Sequence, residues 1–348
     1  MPRRAALVLA FLVPAVASAV AADAPSPLDK LPAKKVKGTP AEVLAQVGDR
    51  ESRLDCGAFG ANGKYLAMGG PGDSILVWDF PDLRKVATLK NKETVCLAFS
   101  PNGKVLAAGD SGGVVKLWKV APGLFTPLVT IPTAHKDGPV WSMAFFPDGD
   151  TLATGGSDGT IKLWDVTKTK PVLKATLTGH KSQVRGLAVS GDGKTLASAG
   201  WKDESVKLWD VAADKPTSTD THAYKALVTG VSFATDVNKL AVSVADGKLR
   251  VYDVDAGKLK DEKVIPAKKD KVAAVAFTPA GDAVTAVVYW DANEDRIFVY
   301  DLDGKAKYEG GYGQRIQGLA TAPDGRHLAA VHERNASLVR LPGEKAKK

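Results

Sequence analysis

Gly155-Gly156-Ser157-Asp158-Gly159-Thr160-Ile161-Lys162-Leu163-Trp164-Asp165 reads as a strand end, a tight turn at Ser157-Asp158-Gly159, and a second strand that ends in Trp164-Asp165. Ile161, Leu163 and Asp165 alternate with Lys162 and Trp164, so both faces of the second strand carry side chains able to pack. Gly159 falls where such a turn needs a positive φ, which glycine adopts without steric cost.

Working outward, the same unit recurs. The aromatic that ends its last strand returns at Trp78, Trp118, Trp164, Trp209, Tyr252 and Tyr300, at intervals of 40, 46, 45, 43 and 48, and Arg340 holds that place 40 residues later. A second mark keeps phase with the first: Phe59, Phe99, Phe145, Val189, Phe233, Phe277 and Thr321. Six of these marks are followed by a Gly-containing turn such as Pro101-Asn102-Gly103 or Pro147-Asp148-Gly149; the fifth unit has Thr235-Asp236-Val237-Asn238 instead. Each unit holds three clear strands and a polar, variable fourth. In the third unit these are expected at 140–145, 151–154, 160–164 and 172–177. Repeats of this length with four strands each imply propeller blades.

Trp78-Asp79, Trp164-Asp165, Trp209-Asp210 and Gly179-His180 resemble the signatures of the WD-repeat β-propeller family, and the resemblance runs over residues 42–342. It is strongest in units three and four. Unit two has Lys119 after Trp118, and units five and six have Tyr for Trp. The resemblance implies an all-β fold, a seven-bladed propeller of four-stranded antiparallel blades. Unit seven runs into its tail without a fourth strand, whereas Glu42-Val43-Leu44-Ala45-Gln46-Val47 alternates like one. Residues 42–47 are therefore expected to close the ring as the outer strand of blade seven, which also removes open sheet edges.

The 348 residues carry a formal net charge of +8. Segments 1–22, 23–41 and 343–348 each contribute +2, which leaves only +2 for the propeller. Charge gathered at the ends, without a clustered basic face, argues against a nucleic-acid partner. Arg3-Arg4, the apolar run 5–16 and the small residues at 17–22 form a secretory signal peptide by pattern. That run is too short to span a membrane, so the mature chain is expected to have no transmembrane segment. The protein is expected to be exported to the periplasm, envelope or medium, and the export signal on a repeat chain with two cysteines points to a bacterial source. Residues 23–41, rich in Pro and Lys, read as a linker and 343–348 as a Lys-rich tail.

The resemblance also assigns a hydrogen-bonded tetrad to the regular blades: His135, Thr154, Asp158 and Trp164 in one, His180, Ser198, Asp203 and Trp209 in the next. A His/Ser/Asp set can signal catalysis, but a triad needs an accessible nucleophile and oxyanion donors, so these are expected to be structural braces. Cys56 and Cys96 occupy the same position in adjacent inner strands and point the same way round the ring, which disfavours a disulfide. Residues 291–295 resemble the start of a calcium loop, but Arg296 stands where such loops need Gly. Asn335-Ala336-Ser337 is a glycosylation sequon. No cofactor or metal is expected.

Departures from the repeat direct attention to one end of the blades. Most units place 19 residues between the two marks; unit four takes 20, with Trp201 in the added turn, and unit six takes 23, with Tyr289-Trp290-Asp291 in it. The inner strands start at Asp55, Val95, Trp141, Arg185, Thr229, Ala273 and Gln317. The family's geometry brings these starts and turns to one rim, so Asp55, Trp141, Arg185, Trp201, Lys202, Trp290 and Gln317 are the expected partner-binding residues. Trp and Arg dominate binding hot spots. The expected function is a non-catalytic scaffold, monomeric, that binds a protein or peptide through this face. Two other readings compete: a metal-dependent hydrolase or lactonase with its site in the channel, for which only Asp55 is acidic among the strand starts, and attachment to an anionic envelope surface through the basic ends.

Overall fold

The computed structural model describes residue 30, residues 34–35 and 42–48, and 52–341 apart from 137, 169, 236–237, 268–270, 279–280, 290–294 and 312–314. The signal-peptide pattern, most of the linker, the tail, Trp290 and Asp291 to Glu294 lie outside the described residues.

Seven antiparallel sheets follow one another around a ring. Blade three is the template: Val140–Phe145 innermost, then Thr151–Gly156, Ile161–Asp165 and Val172–Leu177. Its first two strands are buried throughout, whereas the outermost is exposed over most of its length. This gradient accounts for the polar, variable fourth segment of each repeat: the inner strands are covered by neighbouring blades on both faces and the outer one meets water. The expected turn forms at Ser157-Asp158-Gly159, with Gly159 at φ +73°.

The core lies between blades rather than within them. Leu117 and Ala107 of blade two pack with Met143, Phe145, Leu152 and Trp164 of blade three in one buried cluster. Close approach is enforced at the end of the second strand. A Cβ on Gly109 would lie 2.8 Å from Cβ of Val140 in the next blade, and one on Gly155 would lie 2.8 Å from Cγ1 of Val184. Each fully buried Leu, Phe or Met is worth about 1.5–3 kcal/mol, and every such contact couples two blades.

Glu42–Val47 pairs antiparallel with Ala336–Arg340 and completes blade seven, as the missing strand required. Leu44 and Val47 bury into a cluster with Leu54, Phe59, Leu66 and Leu338, so this strand fastens blade seven to blade one. The linker reading of 23–41 needs one amendment. Lys34 and Lys35 pair with Val43 and Glu42 as a short fifth strand, so this part of the segment adds to the outer edge of the ring.

Candidate partner-binding face

The two tetrads are assembled and buried. Trp164 Nε1 donates to Thr154 Oγ1 (3.0 Å), which lies 2.9 Å from His135 Nε2, while His135 Nδ1 lies 3.0 Å from Asp158. An indole N–H can only donate. The hydroxyl therefore accepts from it and gives its own proton to Nε2, leaving Nδ1–H to donate to the carboxylate. In blade four the corresponding distances are 2.8 Å (Trp209 to Ser198), 2.7 Å (Ser198 to His180) and 2.8 Å (His180 to Asp203). Burial alone would raise the Asp158 pKa, but the bonds from His135 and the Thr160 N–H outweigh it and hold the carboxyl well below the usual range. Asp203 is lowered for the same reasons, burial opposing and His180 prevailing. Both hydroxyls are fully buried and committed at each lone pair that matters, so neither is positioned to attack a substrate.

The less regular blades carry replacements that sequence reasoning passed over. In blade five Tyr224 stands where blade four has His180, and Arg250 where it has Lys207. Arg250 Nη1 donates to Asp246 Oδ1 at 3.1 Å, its Nε lies 3.0 Å from Glu262, and its Cζ lies 5.1 Å from the Tyr224 ring centroid. A guanidinium thus does for Asp246 what the histidines do elsewhere. The signal was present as a Lys-to-Arg change two residues before Tyr252. In blade two, with Gly112 at the turn, Asp110 Oδ1 accepts from the N–H groups of Gly112 and Val114, both at 2.9 Å. In blade seven buried His332 lies 3.0 Å from Ser337 Oγ and 3.1 Å from the Arg315 carbonyl, and Gln46 of the closing strand reaches the same hydroxyl at 3.4 Å. Ser337 of the sequon is thereby buried within the blade. Blade one has Met68 at the hydroxyl place, and the buried Trp78 Nε1 finds no acceptor among the described residues.

At the end where the inner strands begin, three of the expected residues meet. The Arg185 guanidinium carbon lies 3.9 Å from the Trp141 ring centroid and 4.3 Å from that of Trp201. Two rings that close cannot share one face of a planar group, so the indoles clamp opposite faces. Trp141 is buried, and its Nε1 donates to Ser157 Oγ at 2.7 Å. Trp201, in the lengthened turn of blade four, packs against the cluster built by blades six and seven and so reaches across the channel mouth. What the tryptophans present is therefore the arginine between them rather than exposed rings. Burial pushes the Arg185 pKa down to about 10.

Of the other expected residues, Asp55 and Gln317 stand at the starts of neighbouring inner strands, where a Cβ on Gly318 would lie 3.0 Å from Asp55 O. Lys202 is exposed beside Trp201, with its backbone N–H on Ser182 Oγ at 3.0 Å. Asp55 is buried, its Oδ1 3.5 Å from Arg53 Nε, and burial raises its pKa against the opposing pull of Arg53. Gln317 is half-buried and donates its backbone N–H to Val331 O at 2.8 Å. Asp295, the last residue of the calcium-like stretch, is buried and bonded by Arg315 and by the Ile316 N–H (2.9 Å). The Cys56 thiol donates to Gly69 O (3.4 Å) and the Cys96 thiol to Val140 O (3.2 Å); both are free and buried, and burial raises both pKa values. Among the described residues no group of three or more His, Cys, Asp or Glu is placed to hold a metal ion. No helix among them is long and apolar enough to cross a membrane.

Three segments, residues 83–119, 125–165 and 171–210, match the family described as WD domain, G-beta repeat. The second match begins in the outer strand of blade two, Leu124–Ile131, and ends with the third strand of blade three, so a sequence repeat straddles two blades. Over 94 residues the chain is 36% identical to WD repeat-containing protein 1-B of Xenopus laevis, a stretch that covers 26% of this chain and only 15% of that protein. Three segments of the chain thus resemble the WD domain, G-beta repeat, and all lie within a seven-bladed β-propeller.

Proposed function

We propose that this protein is a non-catalytic scaffold that binds a protein or peptide through the end of the propeller where Trp141, Arg185 and Trp201 stack. The observation that carries this reading is the stack itself: a cation held between two indoles at the channel mouth, one of them from a turn lengthened relative to the regular blade. Stacked Trp and Arg side chains are the usual anchors of protein interfaces, and the WD repeats support a binding role by analogy of fold. Arg3-Arg4, the apolar run that follows and the small residues at 17–22 support export, so the partner is sought in the cell envelope or periplasm.

The test is affinity capture from the native envelope fraction with wild-type protein and with Arg185→Ala/Trp201→Ala. Trp141 is left intact because its burial makes its removal a packing defect. The double variant is expected to lose the wild-type partners while circular dichroism shows that it remains folded. Retrieval of the same partners by both proteins would refute the assignment of this face.

A further inference from the structure

We infer that the ligand of this face presents a carboxylate to Arg185, and that the partner is an acidic protein segment. The inference deepens the binding reading above and rests on it. With both faces of the guanidinium covered by indoles, only its edge is left for hydrogen bonding. Nε is already committed, donating to Gln183 Oε1 at 3.0 Å. The two Nη groups have no hydrogen-bond or ion-pair partner among the described residues. This leaves a fork of parallel N–H donors, held in one orientation by stacking and by Gln183, which matches the two oxygens of a planar carboxylate. The absence of a neighbouring acid among the described residues agrees with burial as the one cause of the lowered Arg185 pKa. A cation desolvated without a counter-charge is costly, and a carboxylate seated on it offsets that cost.

The surroundings carry the same sign. Antiparallel pairing puts the loop before each inner strand and the turn between the second and third strands at one end of a blade. In blades three to five these segments hold Lys136, Lys181, Lys202, Lys225 and Lys248, all exposed. The acidic residues beside them are largely spoken for: Asp158 by His135, Asp203 by His180 and Asp246 by Arg250, with Glu204 the remaining described carboxylate of these turns. Five ammonium groups against one remaining described carboxylate, set around a fixed guanidinium, favour a chain with repeated negative charge. The whole-chain charge count misses this, because it shows in the distribution rather than the sum.

The experiment is fluorescence anisotropy of a labelled poly-glutamate peptide titrated with the purified full-length protein. A poly-glutamine peptide and an oligothymidylate of equal charge serve as controls. Wild type is expected to bind poly-glutamate saturably and in a salt-sensitive manner, and poly-glutamine not at all. Arg185→Gln is expected to weaken it about tenfold or more, with an unchanged melting temperature. Arg185→Lys keeps the charge, loses the fork and is expected to remain weakened; it carries the comparison if Arg185→Gln does not fold. Absence of saturable binding, equal affinity of the Arg185 variants, or tighter binding of oligothymidylate overturns the inference. If poly-glutamate fails while envelope capture still depends on Arg185 and Trp201, the face stands and the carboxylate falls; if neither depends on them, both fall.

Discussion

Ser198→Ala isolates the brace of blade four, because one oxygen atom serves two buried partners. Ser198 Oγ accepts from Trp209 Nε1 at 2.8 Å and faces His180 Nε2 at 2.7 Å, and the residue is fully buried. Removing the hydroxyl strands an indole donor and an imidazole acceptor where water does not reach. Each stranded group costs about 1–3 kcal/mol, so the loss is about 2–6 kcal/mol, far more than the ordinary worth of one hydrogen bond. For a chain of this size that is a fall of about 3–10 °C in melting temperature. The assay is urea and thermal unfolding followed by circular dichroism, with Trp209→Phe and the double variant completing a cycle. Once the indole N–H is gone, Ser198→Ala should cost about 1–3 kcal/mol less, since one stranded group no longer exists. Binding of ligand to the folded variant should match wild type. A loss below about 1 kcal/mol, or additive single effects, would refute the reasoning that the hydroxyl is the shared node.

Three further outcomes follow from the same geometry. Asp158 has a folded-state pKa below its ordinary value of 3.8, so the stability it contributes is present above that pH and is lost as pH falls through the lower folded value; the stability gap between wild type and Asp158→Asn should narrow from pH 7 to pH 3 in urea titrations, and a gap that widens contradicts the assignment. Deleting 42–47 removes the buried Leu44 and Val47, worth about 3–6 kcal/mol together, and bares the sheet edge of Ala336–Arg340; a lowered midpoint with concentration-dependent aggregation is expected by light scattering, and an unchanged midpoint would show that the ring is closed by other means. Trp78→Phe should be neutral or stabilising in the same unfolding assay, because the buried Trp78 N–H has no acceptor to lose, and a loss as large as that of Trp209→Phe would mean that a bond there has been missed.

Much of this was legible along the chain. Two marks in phase over seven units, with a fourth strand lacking at one end and spare at the other, specified the ring and its closure by 42–47. Local chemistry was equally readable where a residue's role depends on its place in the repeat: Gly159 takes the positive φ its turn demands, and Trp164 and Trp209 lie on strands paired with those that carry Thr154 and Ser198, whose hydroxyls they reach. Positions that departed from the pattern were harder. Arg250 and Tyr224 carry no mark of the brace along the chain, and only their distances show one built from a guanidinium.

The sequence by itself determined what repeats, since periodicity is a property of one dimension and each blade is assembled from neighbours in the chain. Tertiary structure alone decided what converges. Trp141, Arg185 and Trp201 come from different strands and turns, and whether their side chains point out to solvent or stack on one another depends on how blades three and four pack side by side and on Trp201 reaching the cluster of blades six and seven. The same holds for charge: lysines spread over more than a hundred residues become one arc only when the ring closes and brings the same end of each blade to a common face.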